Sequence, residues 1–234
     1  MTIGVFGASG RMGRLVIQEA LEQSIIVSAR IDRDTPLDVP PGTEVLVDFS
    51  TPDAWGNLEG ILEGTPAALV TGTTGLSREH RSMLSRWSRD RAVFYSANMS
   101  AGVFVLNRLV REALSMLGGG FDMEIVEIHH RGKADSPSGT AAALMEGIPG
   151  ERVYGRSGRG AGRPPGEIGV HSLRGGDVAG EHQVHLLGDG ERLCLTHAAT
   201  GRRVFALGAL RAAIFVLGKK PGLYGMEDLL GENP

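Results

Sequence analysis

Two histidines, an arginine and a lysine lie within five residues in the second half of the sequence. His129, His130, Arg131 and Lys133 precede residues 138–140, Ser-Gly-Thr, where we expect a short helix to begin. A helix start offers unpaired N–H groups, so it can bind one carboxylate of a small dianion while the cationic side chains attract the other. A histidine that titrates near neutral pH can also transfer a proton. The stretch predicts an anion-binding acid–base site; the alternative is a structural turn with surface charges.

The two histidines are adjacent, which bears on whether they bind a metal ion. Neighbouring side chains on an extended strand point to opposite faces. We therefore expect His129 and His130 to have different roles, and we expect no metal site.

A glycine-rich turn, residues 7–13, lies between the first predicted strand and the first predicted helix. Glycines there let the backbone approach a pyrophosphate, which the N–H groups at a helix start attract. Asp32 follows Gly13 by 19 residues, at the end of the second predicted strand. A carboxylate at that position accepts hydrogen bonds from an adenosine ribose. The combination predicts a dinucleotide-binding turn, with a plain structural turn as the alternative.

Arg33 directly follows Asp32. A guanidinium can pair with a 2′-phosphate, whereas a carboxylate alone would repel one. The two side chains together predict use of NADH, NADPH or both, unless they form a solvated surface pair.

Two further loops follow predicted strands of the first half, at residues 71–75 (Thr-Gly-Thr-Thr-Gly) and 96–99 (Ser-Ala-Asn-Met). Both would open at the C-terminal edge of a parallel sheet, where ligands of doubly wound folds bind. Their small residues leave room for a nicotinamide.

The elements that must position these residues follow two patterns. In the first half, short apolar runs alternate with helical segments, which predicts a Rossmann-type α/β domain with a parallel sheet. The predicted strands are 3–6, 25–31, 45–49, 67–71 and 92–96, with helices over 12–23, after Thr51 and Pro52, and from a Ser77 cap to about 90. A long helix over 101–117 follows.

The second half predicts an α+β domain with a mainly antiparallel or mixed sheet. Its predicted strands are 123–129, 167–173, 183–188 and 192–198, with a short helix over 141–146 and a loop over 152–166. A last helix, 204–217, is expected to return to the first domain. We therefore predict a nucleotide-binding domain of residues 1–99, with 203–234 packing back on it, and a substrate-binding and oligomerisation domain of residues 100–202.

Composition excludes several other classes of protein. The chain has 234 residues, 41% of them hydrophobic, with a net charge of −3, and this balance offers no general attraction for nucleic acid or anionic membrane. A single cysteine excludes an internal disulfide framework. No segment has the ~18 apolar residues that a membrane span needs, and the N-terminus is not typical of a signal peptide. We expect a cytoplasmic enzyme.

The run 127–141 resembles the signature of the 4-hydroxy-tetrahydrodipicolinate reductase (dihydrodipicolinate reductase) family. The similarity extends over nearly the whole chain. It includes residues 7–14, 47–49, 72–75, 97–98, 167–169, 174–177 and 180–182. The segment between Asp32 and Val45 is shorter and richer in proline than in many relatives, and it flanks the expected ribose site.

The resemblance implies roles for individual residues. The pyrophosphate would be bound by Gly7, Ala8, Ser9, Gly10, Arg11 and Met12, the ribose by Asp32 and the 2′-phosphate of NADPH by Arg33. The nicotinamide end would be lined by Gly72, Thr73, Thr74, Ser96, Ala97, Asn98 and Met99. His129 would be a proton donor and acceptor and Lys133 a proton donor, with His130, Gly139 and Thr140 binding the substrate.

The resemblance also implies the activity: reduction of 4-hydroxy-tetrahydrodipicolinate with NADH or NADPH in diaminopimelate and lysine biosynthesis, by a homotetramer. Two alternatives remain open from the residues alone. One is a related dehydrogenase of another small amino dicarboxylate such as aspartate. The other is a dinucleotide-sensing module without turnover.

Several remaining residues receive plainer interpretations. We expect His171, His182, His185 and His197 to make ordinary hydrogen bonds in the second sheet, His80 to be a solvated helix residue, and Cys194 to be a small packed side chain. The arginines of the 152–166 loop are expected to form a mobile lid of positive potential over the substrate, with an inert loop as the alternative.

Overall fold

The computed structural model describes residues 1–32, 35–160 and 162–231. The chain divides into two compact units. The first unit comprises Met1–Ala101 and Arg202–Pro234, and the second comprises Gly102–Gly201.

A six-stranded parallel sheet forms the centre of the first unit. Its strands are β1 (Thr2–Phe6), β2 (Ile26–Ile31), β3 (Val45–Asp48), β4 (Ala68–Thr71), β5 (Ala92–Tyr95) and β11 (Gly222–Tyr224), in the order β11-β5-β4-β3-β1-β2. The central strands are short apolar runs, as expected for a sheet that is covered on both faces. This arrangement confirms the predicted Rossmann-type fold.

Helices cover both faces of this sheet. They are α1 (Arg11–Glu22), α2 (Trp55–Glu63), α3 (Arg78–Trp87) and α6 (Arg203–Val216). Leu46, Leu69 and Val93 pack with α2 and α3 on one face. On the other face, the ring of Phe94 lies 6.2 Å from the ring of Phe215 in α6, which also contacts α1. The parallel strands are therefore buried between two helical layers.

A five-stranded mixed sheet forms the second unit, together with α4 (Ala101–Leu117) and α5 (Gly139–Met145). Its strands are β6 (Asp122–His129), β7 (Arg152–Tyr154), β8 (Ile168–Arg174), β9 (Gly180–Gly188) and β10 (Glu191–Ala199), in the order β10-β9-β6-β8-β7. β6 pairs with β8, and β8 with β7, in parallel, whereas β9 pairs antiparallel with both β6 and β10. The sheet is therefore mixed rather than mainly antiparallel.

Buried and half-buried side chains alternate along β6, so the two faces of the strand have different environments. Met123, Ile125, Glu127 and His129 are buried, whereas the residues between them are half-buried. The apolar members of the buried face pack on α4 and α5 in one hydrophobic core. Glu127 and His129 continue the same face at the C-terminal end of the strand, so they are buried with it.

Some local expectations differ from the structure. Residues 152–154 of the predicted loop form β7, and residues 222–224 and 226–231 form β11 and α7 (Met226–Gly231), which the sequence did not indicate. Thr51 makes no side-chain cap, because a short 3-10 turn, Pro52–Ala54, precedes α2. Ser77 does cap α3: its hydroxyl accepts from the His80 N–H, and the His80 ring accepts from the Ser77 N–H. His80 is therefore a capping residue and not merely a solvated one.

Candidate active site

The glycine-rich turn joins β1 to α1 with backbone that only glycine adopts easily. Gly7 has φ +78°, in the left-handed region. Its N–H and that of Ala8 donate to the carbonyl of Ile31, at 2.8 and 3.2 Å. A Cβ on Gly13 would lie 2.1 Å from the Gly7 carbonyl oxygen, so α1 can approach the turn only because residue 13 is glycine. This close approach is what a pyrophosphate-binding turn requires.

Asp32 lies directly after β2, next to this turn. Its carboxylate accepts from the Ser9 N–H at 3.0 Å and from the Ser9 hydroxyl at 2.9 Å. The contact joins two of the residues expected to bind the cofactor. Arg33, the residue expected to meet a 2′-phosphate, lies outside the described residues.

A cleft of about 450 Å³ opens in the first unit beside the turn. Among its lining residues are eight of those expected to bind the cofactor, namely Arg11, Met12, Gly72, Thr73, Thr74, Ala97, Asn98 and Met99. The lining also includes Phe49, Ser50, Arg202 and Phe205, which the sequence did not indicate. The remaining expected residues, Gly7, Ala8, Ser9, Gly10, Asp32 and Ser96, are not among those that line it.

The walls of this cleft are closely packed. A Cβ on Gly72 would lie 2.3 Å from the Phe49 ring, and a Cβ on Gly208 of α6 would lie 1.8 Å from the Met99 carbonyl oxygen. The Ser96 hydroxyl donates to the Asn98 carbonyl at 2.7 Å, which holds the 96–99 loop in a turn. The cleft is thus built of fixed backbone, and its volume lies within the range typical of ligand pockets.

The buried carboxylate of Asp48 ties two of the cleft loops together. It accepts from the hydroxyls of Thr71 and Thr73 at 2.7 and 2.8 Å, and from the N–H of Ser50 at 2.8 Å. The indole N–H of Trp55 adds a fourth contact at 3.2 Å. Asp48 therefore links the end of β3 to the loop after β4.

The second group of expected residues centres on a carboxylate of the second unit. Glu127 is fully buried and accepts from both terminal nitrogens of Arg174, at 2.9 and 2.7 Å. The same carboxylate accepts from the Ser138 N–H at 3.2 Å and contacts Nδ1 of His129 in a short hydrogen bond. The imidazole of His129 is thus held by a charged neighbour.

The pKa values in this cluster follow from burial and charge. Burial raises the pKa of Glu127, but hydrogen bonds from Arg174, Ser172 and His129 outweigh it and lower the pKa to about 2. Burial lowers the pKa of His129; Glu127 opposes the shift, and the charges of Lys133 and Arg174 add to it. The lowered pKa of His129 favours the neutral imidazole, next to an ionised carboxylate.

The other expected residues of this region lie in the turn after β6 and at the start of α5. The ammonium of Lys133 is 2.8 Å from the carboxylate of Asp135, and its charge acts on His129. His130 is half-buried, outside β6, and its N–H donates to the Val178 carbonyl. Gly139 and Thr140 begin α5, which Ser138 caps through the Ala141 N–H. The second unit thus brings His129 and Lys133 into electrostatic contact, while His130 has a different environment.

His182, on β9, makes a hydrogen bond in the second sheet, as expected, and it also lies beside His129. Its ring lies 5.2 Å from the His129 ring, at 74° between planes. Its Nε2 is hydrogen-bonded to the Ser138 hydroxyl at 2.9 Å, and its Nδ1 has no hydrogen-bond partner in the described part of the chain. Burial first, and then the charge of His129, lower the pKa of His182 to about 4.

Two arginines of the 152–166 loop are held by ion pairs in the described residues. Arg156 pairs with Glu124 and Glu167, and Arg163 pairs with Glu124 and Asp122. Glu124 lies on the face of β6 opposite to Glu127 and His129, because it is an odd number of positions, three, before Glu127. The positive charges are therefore paired with carboxylates on the outer face of the sheet.

The sequence reasoning missed the polar residues that support the site, and it was wrong about Cys194. Asp48, Glu127, Ser138, Arg174 and His182 had no assigned role. Glu127 lies two residues before His129 and so on the same strand face, a signal that was available. Arg174 is 47 residues further along, and nothing local connects it to Glu127. Cys194 is exposed, because it lies on the outer face of β10, opposite to Leu195, which packs against the core.

Two family models match the chain. The model described as "Dihydrodipicolinate reductase, N-terminus" matches residues 1–99, and the model described as "Dihydrodipicolinate reductase, C-terminus" matches residues 102–230. The chain belongs to the dihydrodipicolinate reductase family. The 4-hydroxy-tetrahydrodipicolinate reductase of Wolinella succinogenes is 43% identical over 98% of this chain and 98% of its own length. That of Rubrobacter xylanophilus is 42% identical over 99% of both chains.

A solved structure of the reductase family also has this fold. Dipicolinate-bound dihydrodipicolinate reductase from Paenisporosarcina sp. TG-14 aligns with a TM-score of 0.76, over 98% of this chain and 99% of that chain, at 21% identity. In the described residues, no group of three or more His, Cys, Asp or Glu side chains is placed to hold a metal ion. Across residues 1–32, 35–160 and 162–231, no helix is long and apolar enough to cross a membrane.

Proposed function

We propose that the protein reduces 4-hydroxy-tetrahydrodipicolinate to tetrahydrodipicolinate with NADH or NADPH, in diaminopimelate and lysine biosynthesis. The observation that carries this proposal is the full-length similarity to reductases of that name, at 43% identity for the Wolinella succinogenes protein. The acid–base cluster around His129 supports it, because a sensing module that performs no turnover has no need for one.

The first unit would bind the cofactor. The turn at Gly7 and Gly13 fits a pyrophosphate, since the left-handed backbone at Gly7 and the close packing at Gly13 bring the start of α1 to the turn. Asp32 lies beside the turn, where it would accept from a ribose hydroxyl. The cleft lined by Gly72, Thr73, Thr74, Ala97, Asn98 and Met99 would receive the nicotinamide. When bound, the reduced nicotinamide supplies the hydride.

The second unit would bind the substrate and transfer protons. Burial lowers the pKa of His129 and favours its neutral form, which can accept a proton and return it, while the ammonium of Lys133 is a donor. The positive charges of Lys133 and Arg174 would stabilise negative charge that develops on the substrate. His130, Gly139 and Thr140 would bind its carboxylates.

One assay separates this activity from the two alternatives. The protein is mixed with NADH or NADPH and with the condensation product of pyruvate and aspartate semialdehyde, and cofactor absorbance is followed. Rapid consumption supports the reductase. Consumption only with aspartate or another amino dicarboxylate would indicate the related dehydrogenase, and cofactor binding without consumption would indicate a sensing module. Titration of both cofactors in the same assay determines the preference between them.

We also propose that the protein is a cytoplasmic homotetramer assembled through the second-unit sheet. The outer face of that sheet carries Leu173 and Leu187, which remain 46% and 37% exposed. An exposed free cysteine fits a reducing compartment. Light scattering should give four times the 24.8 kDa chain mass, and a monomer would contradict the proposed assembly.

A further inference from the structure

The carboxylate of Glu127 has more partners than a simple structural ion pair needs. It is completely buried, and donors reach it from three parts of the second unit. Arg174 donates from the end of β8, the Ser138 N–H donates from the start of α5, and the imidazole of His129 contacts it from the same strand. Ser172 adds a side-chain hydrogen bond.

The direction of these hydrogen bonds determines the protonation pattern of His129. An ionised carboxylate only accepts hydrogen bonds. The contact with Glu127 therefore requires the proton of the neutral imidazole to be on Nδ1, which leaves Nε2 with its lone pair. The ring is held in one tautomer and one orientation.

The surroundings of Nε2 leave it little freedom to move. A Cβ on Gly180 would lie 3.0 Å from Nε2, so the ring occupies space that only a glycine leaves open. The ring of His182 packs against the ring of His129 edge to face. Rotation of the imidazole would break its contact with Glu127 and would push the ring against Gly180 and His182.

We propose that Glu127 is a positioning residue, which holds His129 with Nε2 available for proton transfer and joins it, through the Ser138 N–H, to the start of α5. This inference rests on the proposed function. Arg174 acts one step further away, because it keeps the carboxylate ionised and oriented. Gly139 and Thr140 follow Ser138, so one carboxylate connects the acid–base group to the residues proposed to bind substrate.

The charged and titratable groups around His129 predict the effect of removing the Glu127 charge. They are Glu127 on β6, Lys133 in the following turn, Arg174 on β8 and His182 on β9. Among these, Glu127 is the group that raises the pKa of His129, whereas Lys133 and Arg174 lower it. In Glu127→Gln the two cations act without opposition, so the pKa of His129 should fall further.

The test is a double-mutant cycle of Glu127→Gln and His129→Asn in the full-length protein. If Glu127 acts through His129, Glu127→Gln should reduce kcat about 10- to 100-fold in the wild-type background and have almost no further effect in His129→Asn. The dissociation constant for NADH should remain unchanged, because the proposed cofactor residues all lie in the first unit. Equal effects of Glu127→Gln in both backgrounds would overturn the inference.

A second measurement does not depend on turnover. The imidazole signals of His129 are assigned by their loss in His129→Asn and are titrated by NMR in the wild type and in Glu127→Gln. A lower pKa of His129 in Glu127→Gln supports the inference, and an unchanged pKa in a folded variant contradicts it. Failure of the proposed function would give a different result from failure of this inference. In that case the wild-type protein would consume no NADH or NADPH with the condensation product of pyruvate and aspartate semialdehyde.

Glu124→Gln is the matched control. Glu124 lies on the same strand and also contacts two arginines and a histidine, namely Arg156, Arg163 and His171. Its side chain is on the opposite face of β6. The control should leave kcat and the pKa of His129 unchanged when the assembly state matches that of the wild type. A fall in kcat as large as that of Glu127→Gln would mean that loss of any buried ion pair on β6 explains the effect.

Discussion

At the scale of single residues, the site depends on charged side chains that act on one another. Lys133 shows this best, because its ammonium is paired with Asp135 and also acts on His129. A group in this position can serve substrate binding through its charge and turnover through its proton. The two contributions are separable, since arginine retains the charge but does not lose its proton in proteins.

We therefore expect Lys133→Ala to raise KM and to lower kcat, the latter by roughly 10²–10⁴-fold, the usual contribution of a general acid. Lys133→Arg should restore much of the substrate affinity and little of kcat. Steady-state kinetics of both variants provide the measurement. Full recovery of kcat in Lys133→Arg would show that residue 133 contributes charge but no proton.

Gly180 limits the position of the His129 imidazole, the proposed acid–base group. In Gly180→Ala the new methyl group would lie 3.0 Å from Nε2 of His129 and would displace the ring. A displacement of about 1 Å at a reacting group can reduce the rate about 100-fold, so we expect kcat to fall by roughly 10- to 100-fold. Gly190→Ala is the control, because Gly190 also has a positive φ, +81°, but no atom within 4 Å of a Cβ. That variant should lose stability and keep its kcat.

At the scale of elements, short polar links hold the loops that follow the parallel strands. Asp48 at the end of β3 binds Thr71 and Thr73, which flank the end of β4 and the loop after it. Because the proposed cofactor cleft is built from these loops, a change at Asp48 acts on the cleft without touching a ligand. The carboxylate should therefore affect cofactor binding and stability together.

Asp48→Asn should raise the dissociation constant for NADH about 10-fold and cost about 1–3 kcal/mol of unfolding free energy, because an amide leaves one of the buried donors unsatisfied. Isothermal titration with NADH and urea unfolding measure the two effects. Asp53→Asn, an exposed carboxylate in the 3-10 turn before α2, should change neither. Normal NADH affinity in a destabilised Asp48→Asn would restrict Asp48 to a structural role.

The sequence alone predicted some of the strands but not others. β1, β3, β4 and β5 are short apolar runs that helical segments separate. This pattern predicted the bounds of each strand to within one residue at each end. β7 and β11 have three residues each, too few for any period to be visible. Cys194 alternates with Leu193 and Leu195 as in a packed strand, but it lies on the outer face of β10, and the face that packs against the core could not be read locally.

The candidate site was predictable to a different degree in each unit. Turn residues such as Gly7 and Asp32 belong to a motif with fixed spacing, and the loops after β4 and β5 follow from the parallel topology. The cluster in the second unit depends on register: Glu127 pairs with His182 across β6 and β9, and with Ser172 across β6 and β8. Such a row of polar residues is visible only once the strand order is known.

At the scale of the whole molecule, the buried histidines determine how stability depends on pH. His182 is 3% exposed and its pKa is lowered to about 4, whereas in an unfolded chain a histidine has a pKa near 6.5. The unfolded state therefore binds the proton more readily, and the stability of the fold decreases as the pH falls from about 6.5 to about 4. Burial lowers the pKa of His129 and His197 as well, in the same direction.

The carboxylate of Glu127 adds a second step at lower pH. Its pKa of about 2 in the fold is below the usual value of 4.5, so its contribution is complete above pH 4.5 and is lost as the pH falls towards 2. The two groups act in adjacent pH ranges. The histidines thus account for the loss of stability that begins near pH 6.5, and below about pH 4.5 Glu127 and the other carboxylates with a lowered pKa, Glu124 and Asp135, add to it.

We expect the urea concentration at half-unfolding to decrease steadily between pH 7 and pH 4, with His182 contributing up to about 3 kcal/mol of the lost unfolding free energy. His182→Gln removes the titrating group, so its stability should vary less over this range than that of the wild type, even though the variant is less stable at pH 7. His185→Gln, on the opposite face of the same strand and half-buried, should retain the wild-type slope. If His182→Gln also retains that slope, His182 is not the group that couples folding to protons, and His129 and His197 become the next residues to replace.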